Sequence, residues 1–263
     1  MKRFGLIGHP VAGSLSPRLF EAAYGGRYAY DLLEGAVFGE SWQRFLDSYD
    51  GINITAPFKL DAFRSVDILS DGARLCGAVN LAVKTPHGIE GHNTDVDGVA
   101  LAILEACGLD YRMTGALPAS AGLPDALVVG TGGAGRAAAV AAQRLGCRVT
   151  LANRTASRAA ALASELGCDW IPAEDVSALA PDLVIYTVPG PMDGLAPCSG
   201  QQASAWPFPD AVILEANYRT PCLEGCGRVY ISGRRWLLYQ AVAGYEIFTG
   251  ELPDRDAMLH VFC

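Results

Sequence analysis

The sequence contains few charged residues and no long apolar run. Only 18% of the 263 residues are charged, and the formal net charge is -8 with a pI near 5.0. An acidic chain has no general attraction for the phosphates of nucleic acids or anionic membranes, so neither partner is expected. No stretch reaches the roughly 18 apolar residues of a membrane span, and Gly8, His9 and Pro10 end the first apolar segment too early for a signal peptide. We therefore expect a soluble, cytoplasmic protein.

Closely spaced cysteine pairs are also scarce. Of eight cysteines, only Cys222 and Cys226 lie near each other, and no second pair completes a zinc signature. No metal is therefore expected. Because 51% of the residues are hydrophobic, buried free thiols in a reducing compartment are the favoured interpretation.

Strand-like and helix-like stretches alternate along the chain, which predicts an α/β fold with mostly parallel sheets. In the first half we predict strands at 3–8, 28–34 and 51–55, helices at 16–24, 40–49 and 59–66, and an edge hairpin at 78–93. A helix at 97–107 precedes a polar, Gly/Pro-rich hinge or loop at 108–125. In the second half we predict strands at 126–130, 148–153, 182–188 and 211–217, and then two C-terminal helices.

This pattern predicts two domains. The first comprises residues 1–100, with the C-terminal helices at 234–263 returning to pack on it. The second, at 101–233, is a doubly wound Rossmann-type domain. The oligomeric state is expected to be a monomer or a homodimer.

A glycine-rich turn is the most specific local motif. Residues 130–135 read Gly-Thr-Gly-Gly-Ala-Gly and lie between an apolar strand and an Ala-rich helix. Such glycines turn the chain tightly and let backbone amides at a helix N-terminus reach a pyrophosphate. We therefore predict a dinucleotide site at Gly130, Thr131, Gly132, Gly133 and Ala134.

The end of the next strand favours NADP over NAD. NAD-binding proteins usually carry an acidic residue here, whereas this chain has Asn153, Arg154 and Thr155, with Arg158 one turn later. A guanidinium can hold a 2′-phosphate in a bidentate manner, which a carboxylate would repel. The alternative is that both arginines are solvated surface charges.

A lysine follows the buried strand "GINIT" at the expected start of a helix. The positive end of a helix disfavours the charged form of Lys59, and a nearby carboxylate would oppose that effect and keep the group ready for proton transfer. Asp95 in "GHNTD" is a candidate partner, while Asp97 could face elsewhere. From these residues alone, Lys59 could equally be solvated and Asp95 could cap a helix.

Six separated motifs resemble the shikimate dehydrogenase family along nearly the whole chain. They are the glycine loop with "NRT", "GSLSP", "NITAPFK", "GAVN", "GHNTD" and "GRRWLLYQ". The resemblance implies a substrate domain facing a Rossmann NADP domain, and interconversion of 3-dehydroshikimate and shikimate. It also implies that Lys59 and Asp95 form the catalytic pair.

The same resemblance supplies further site residues. Ser14 and Ser16 would donate to the substrate carboxylate, although helix capping ahead of Pro17 is an alternative or additional role. Expected polyol-binding and cofactor-binding residues complete the set: Thr55, Asn80 and Gln240 for the polyol, Tyr218 beside substrate and nicotinamide, and Val188 and Gly233 for the cofactor.

Several positions depart from the family pattern. Gly13 stands where a histidine is usual, Val96 replaces a glycine, and Trp236 takes the place of a methionine expected beside the nicotinamide. Residues 186–189 read Tyr-Thr-Val-Pro instead of the usual Asn-Ala-Thr-Ser. These differences keep open a paralogue that acts on quinate or an aminated analogue. A non-catalytic NADP-binding protein and a methylenetetrahydrofolate dehydrogenase are more distant alternatives, disfavoured respectively by the Lys59–Asp95 pair and by the serine and glutamine motifs.

Overall fold

The structure, a computed structural model, describes residues 2–110, 116–192, 195 and 206–262. The chain divides into two compact units, one formed by Met1–Thr94 with Leu238–Cys263 and the other by Asp95–Leu237. Part of the predicted loop at 108–125 lies outside the described residues.

The first unit is built around a mixed six-stranded sheet. Its strands are β1 (Arg3–Gly8), β2 (Ala29–Glu34), β3 (Gly51–Ile54), β4 (Ile68–Leu69), β5 (Leu81–Thr85) and β6 (Gly88–His92). The spatial order is β2-β1-β3-β5-β6-β4, in which β1 pairs in parallel with β2 and β3, and β5 runs antiparallel to β3 and β6. Its helices are α1 (Ser16–Tyr24), α2 (Phe38–Ser48), α3 (Lys59–Ser65) and α4 (Asp71–Cys76).

The predicted hairpin forms, but its placement at the sheet edge is wrong. Strand β4 pairs in parallel with β6 through Ile68 and Leu69, so β4 and not the hairpin occupies that edge. Two residues are too few to show the alternating pattern by which a strand is recognised in a sequence. The short helix α4 was missed for a similar reason.

The C-terminal helices return to the first unit, as expected. They are α8 (Gly233–Thr249), whose residues from Leu238 belong to this unit, and α9 (Arg255–Leu259). The rings of Phe4 and Phe248 stack at a centroid distance of 4.8 Å, and those of Phe20 and Tyr245 meet edge-on at 4.8 Å. Such offset and edge-on contacts are the favoured geometries of buried aromatic pairs.

The second unit contains a parallel six-stranded sheet. Its strands are β7 (Asp125–Val129), β8 (Arg148–Asn153), β9 (Asp169–Pro172), β10 (Leu183–Tyr186), β11 (Val212–Glu215) and β12 (Val229–Ser232), in the order β12-β11-β10-β7-β8-β9. Counted from β7, this is the 3-2-1-4-5-6 order of a doubly wound dinucleotide-binding fold. Its helices are α5 (Thr94–Ala106, whose first residue belongs to the first unit), α6 (Gly133–Arg144) and α7 (Ala156–Leu166).

Residues 212–215 and 183–186 are fully or nearly fully buried, as central parallel strands require. The edge strands β9 and β12 were not predicted, because both are only four residues long and half-exposed.

The cysteine interpretation needs one correction. Cys76, Cys107, Cys147, Cys168 and Cys222 are free. Cys226, however, is disulfide-bonded, so the expectation of free thiols is wrong at this position. Cys198 and Cys263 lie outside the described residues.

No helix within the described ranges is long and apolar enough to cross a membrane. Across those same residues, no cluster of three or more His, Cys, Asp or Glu side chains is arranged to hold a metal ion.

Candidate functional site

The two serines of "GSLSP" lie together at the start of α1. Ser14 Oγ donates to Ser16 Oγ across 3.0 Å and accepts from the Ser16 amide at 3.2 Å. The N-cap residue is Leu15, whose side chain makes no capping hydrogen bond. The capping alternative therefore fits Ser14, which accepts from the first amide of the helix, and not Ser16, whose hydroxyl accepts from Ser14. The Ser16 carbonyl accepts from the Tyr245 hydroxyl at 3.0 Å, which fixes the motif against α8.

Lys59 begins helix α3, as expected. The preceding Phe58 is buried, and the Lys59 carbonyl accepts from the Val79 amide at 3.0 Å. The Thr55 amide donates to the Ile7 carbonyl at 3.0 Å, which ties the end of β3 to the end of β1. Backbone hydrogen bonds therefore hold the chain in place at both Thr55 and Lys59, and both side chains are partly exposed.

Asn80 links three parts of the first unit. Its Oδ1 accepts from the Thr94 amide at 2.8 Å, and its Nδ2 donates to Thr94 Oγ1 at 3.2 Å and to Gln240 Oε1 at 3.3 Å. The bond to the Thr94 amide explains why α5 begins at Thr94, three residues before the predicted start. Asp95 is consequently in the first turn of α5.

The glycine loop has the shape that a pyrophosphate requires. A Cβ on Gly135 would lie 2.0 Å from the Gly130 carbonyl oxygen, so this position must be glycine for α6 to pack on β7. By contrast, nothing lies within 4 Å of a Cβ on Gly132 or Gly133. Gly132 is the N-cap of α6 and no side chain caps this helix end. The start of α6 is thus open on the side of these two glycines, and a helix N-terminus of this kind fits an anionic group.

Both arginines predicted to bind the 2′-phosphate line one pocket with three other predicted residues. The pocket has a volume of about 710 Å³, and its walls include Asn153, Arg154, Thr155, Arg158 and Val188. Neither arginine forms an ion pair with a described residue, so both guanidinium groups can donate to an anion. Both side chains are exposed, so the choice between a 2′-phosphate role and solvated surface charge stays a prediction.

Sequence reasoning missed the opposite wall of this pocket. Glu174, Pro189, Gly190 and Met192 also line it. Strand β9 places Glu174 there, because Pro172 is the register partner of Asn153. A carboxylate near two arginines lowers the positive potential that a 2′-phosphate would meet.

Tyr218 and Gly233 lie at opposite ends of the segment that follows β11. Tyr218 is partly buried within a turn in which Asn217 Nδ2 donates to the Thr220 carbonyl at 2.9 Å. A Cβ on Gly233 would lie 2.2 Å from the Ala216 carbonyl oxygen, so α8 can begin here only with glycine. The backbone at both positions is therefore tightly specified.

Comparison with known proteins identifies the family. The family model for the shikimate dehydrogenase substrate binding domain matches residues 6–82. Shikimate dehydrogenase (NADP(+)) from Acidiphilium cryptum is 39% identical over 97% of this chain and 93% of its own length. The chain belongs to the shikimate dehydrogenase family.

Solved structures agree with this membership. Shikimate 5-dehydrogenase from Thermus thermophilus, in complex with NADP(H) and shikimate, has a TM-score of 0.82 and 30% identity, with 99% of this chain and 98% of that chain covered. Quinate dehydrogenase from Corynebacterium glutamicum, in complex with NAD, has a TM-score of 0.81 and 27% identity, with 99% and 98% covered. Both shikimate and quinate enzymes therefore share this fold.

A model for an FAD binding domain also matches residues 125–189. This range holds the glycine loop and the strand–helix–strand unit that FAD-binding and NAD-binding proteins use to hold a pyrophosphate. The match supports dinucleotide binding and does not discriminate between the cofactors.

Three departures from the shikimate dehydrogenase pattern lie at buried positions. Tyr186 is fully buried in the core of the second unit, and its hydroxyl donates to the Gly190 carbonyl at 2.6 Å. It therefore supports the pocket wall from behind. Val96 is also buried, in the first turn of α5. Trp236 is buried on α8, where it leaves little of its surface for a ligand.

Proposed function

We propose that this member of the shikimate dehydrogenase family reversibly reduces 3-dehydroshikimate to shikimate with NADPH, as a step of aromatic amino-acid biosynthesis. The observation that carries the proposal is the 39% identity to a curated NADP-dependent shikimate dehydrogenase over 97% of the chain. The arginine-lined pocket independently supports NADP as the cofactor. The reaction needs no metal, and cytoplasm remains the expected compartment because substrate and cofactor are free small molecules.

In this proposal the second unit holds the cofactor. The first-turn amides of α6 bind the pyrophosphate, and Arg154 and Arg158 bind the 2′-phosphate. Bound NADPH supplies the hydride, and oxidised NADP accepts it in the reverse direction. Val188 and Gly233 complete the set of residues assigned to the cofactor.

The first unit holds the substrate. We assign Ser14 and Ser16 to the carboxylate, because two hydroxyls in contact can turn their protons towards an anion. Thr55, Asn80 and Gln240 are assigned to the ring hydroxyls, and Tyr218 is assigned to the substrate as well. The hydrogen bond between Asn80 and Gln240 fixes the orientation of both side-chain amides.

Proton transfer is assigned to Lys59 and Asp95. When a ketone carbon is reduced, negative charge develops on its oxygen, and the Lys59 ammonium stabilises that charge and donates the proton. Asp95 is assigned to a hydrogen bond with the same polyol. In the oxidative direction the two groups take the proton back.

The test is oxidation of shikimate and of quinate with NADP+ and with NAD+, followed by the absorbance of the reduced nicotinamide. Turnover with shikimate and NADP+ that exceeds the other three combinations supports the proposal. Faster turnover with quinate would favour the second candidate, a quinate dehydrogenase, for which the similarity to the Corynebacterium glutamicum enzyme is the specific observation. No turnover in any combination would overturn the proposed activity.

A further inference from the structure

Glu215 is a fully buried carboxylate at the end of β11. One of its oxygens accepts from the Cys222 amide at 2.7 Å, and the other accepts from the Leu223 amide at 3.1 Å and from the Tyr230 hydroxyl at 2.9 Å. Burial, together with the neighbouring Glu215 carboxylate, raises the pKa of the Cys222 thiol to about 12.

All of these partners are neutral donors. A carboxylate has only acceptors, so two amides and a hydroxyl can all point at it. Burial of a carboxylate costs several kcal/mol unless such donors surround it, so the full set of donors is needed to keep it here. A glutamine has the same size, but its side-chain NH2 group would face at least one N–H donor. Because both groups are donors, neither could be satisfied by the other.

These hydrogen bonds close a loop. The Cys222 and Leu223 amides lie seven and eight residues after Glu215 in the chain, so the carboxylate ties the end of residues 216–223 back to their start. At the start of the loop the Ala216 amide donates to the Tyr186 carbonyl at 2.8 Å. Within it, the Thr220 amide donates to Asn217 Oδ1 at 3.3 Å. Tyr218 lies within this loop, and its own backbone groups take part in none of these hydrogen bonds.

We propose that Glu215 is a positioning residue for the reaction: its carboxylate closes the 216–223 loop and thereby holds Tyr218 where it meets the substrate. The inference rests on the proposed function, which assigns Tyr218 to the substrate. Glu215 itself touches neither substrate nor cofactor, because its oxygens are occupied by the protein.

The decisive experiment is a double-mutant cycle with Glu215→Gln and Tyr218→Phe. Glu215→Gln is expected to raise the KM for shikimate about ten-fold, the loss of roughly one well-oriented hydrogen bond, with the KM for NADP+ unchanged. In the Tyr218→Phe background the same change should alter kcat/KM by less than about two-fold. Asp182→Asn is the matched control, because Asp182 also accepts from a backbone amide, that of Asp125, at the far end of the sheet.

An equal loss from Glu215→Gln in both backgrounds would overturn the proposal, as would an unchanged KM for shikimate. If Glu215→Gln does not fold, Tyr230→Phe replaces it, because this change removes a single donor from the same carboxylate. The double-mutant cycle with Tyr218→Phe is then repeated, and an equal loss in both backgrounds or an unchanged KM for shikimate would again overturn the proposal.

A second measurement does not depend on activity. Arg219 is exposed beside Tyr218, and trypsin should cleave after it faster in Glu215→Gln than in the original chain or in Asp182→Asn. Equal cleavage rates in all three would show that Glu215 does not hold the loop. An inactive original chain that nevertheless shows faster cleavage in the variant would count against the proposed function alone.

Discussion

The Asn80 side chain donates to Gln240 Oε1 across 3.3 Å, although 160 residues separate the two in the chain. Asn80 uses its remaining polar capacity on Thr94, while Gln240 Nε2 makes no hydrogen bond to a described residue. The two side-chain amides therefore differ: Asn80 forms hydrogen bonds with both Thr94 and Gln240, whereas Gln240 keeps donors that the described residues do not use.

This division predicts different responses to truncation. Asn80→Ala leaves the buried Thr94 amide without its acceptor and should lower the free energy of unfolding by about 1–3 kcal/mol. Gln240→Ala should lower it by less than about 1 kcal/mol but raise the KM for shikimate. Denaturant titration and steady-state kinetics of both variants check this. A larger stability loss in Gln240→Ala than in Asn80→Ala would contradict it.

Lys59→Ala should lower turnover by about 100-fold or more, as expected for loss of a general acid. The binding of 2′-AMP, a fragment of NADP, should not change, because Lys59 belongs to the other unit. Lys84→Ala is the control: Lys84 is an exposed lysine of the same unit that donates to the Leu46 carbonyl. Near-normal turnover in Lys59→Ala would remove the assigned role.

Alanine substitutions at two glycines of the same loop should have different effects, one on stability and the other on cofactor affinity. Gly135→Ala places a methyl group 2.0 Å from the Gly130 carbonyl oxygen and should destabilise the second unit, seen as a lower Tm. Gly132→Ala meets no protein atom within 4 Å, so its Tm should be unchanged while its affinity for NADP+ falls. Unchanged NADP+ affinity in Gly132→Ala would argue against a pyrophosphate at this helix end.

The charges of the pocket should act in opposite directions on a 2′-phosphate. Arg154→Ala should weaken binding of 2′-AMP far more than binding of AMP, whereas Glu174→Gln should strengthen 2′-AMP by a few-fold, because a repelling carboxylate is gone. Calorimetry measures both. Arg148→Ala is the control for arginine loss, since Arg148 pairs with Asp125 at the other end of β8. Equal losses of 2′-AMP and AMP in Arg154→Ala would show that Arg154 does not contact the 2′-phosphate.

His92 predicts a pH dependence of stability. Burial lowers its pKa below 6.5, with Glu90 at 3.7 Å opposing the shift, and its buried Nε2 has no hydrogen-bond partner among the described residues. As the pH falls, His92 therefore takes up a proton in the unfolded chain before it does so in the folded protein. The contribution of His92 to the free energy of unfolding is intact above pH 6.5 and is lost as the pH drops towards the folded-state pKa.

His92→Gln should flatten the stability profile below pH 6.5 in denaturant titrations at several pH values. His87→Asn, at an exposed position in the neighbouring turn, should leave that profile as it was. Identical slopes in the original chain and in His92→Gln would exclude this histidine as the source.

The sequence was most informative where a local motif coincides with a regular spacing of hydrophobic residues. The glycine loop, the buried strands and the return of the C-terminal helices to the first unit were all predictable, since each depends on local pattern or on the order of separated motifs. Strands β4 and β9 were not, because two to four residues carry no periodic signal. Glu174 and Glu215 were missed for a related reason: their surroundings are set by strand pairing and loop closure, which a sequence does not display. Whether Lys59 and Asp95 act as a pair stays a prediction.

The division of the chain also has a consequence for the order of events during synthesis. The second unit is one continuous segment, Asp95–Leu237, so all of its residues are synthesised before most of α8 and all of α9. The first unit cannot complete its aromatic core until Tyr245 and Phe248 arrive to pack on Phe20 and Phe4. During synthesis the sequence of the second unit is therefore complete first, whereas residues 1–94 of the first unit still lack the C-terminal helices that complete their aromatic core.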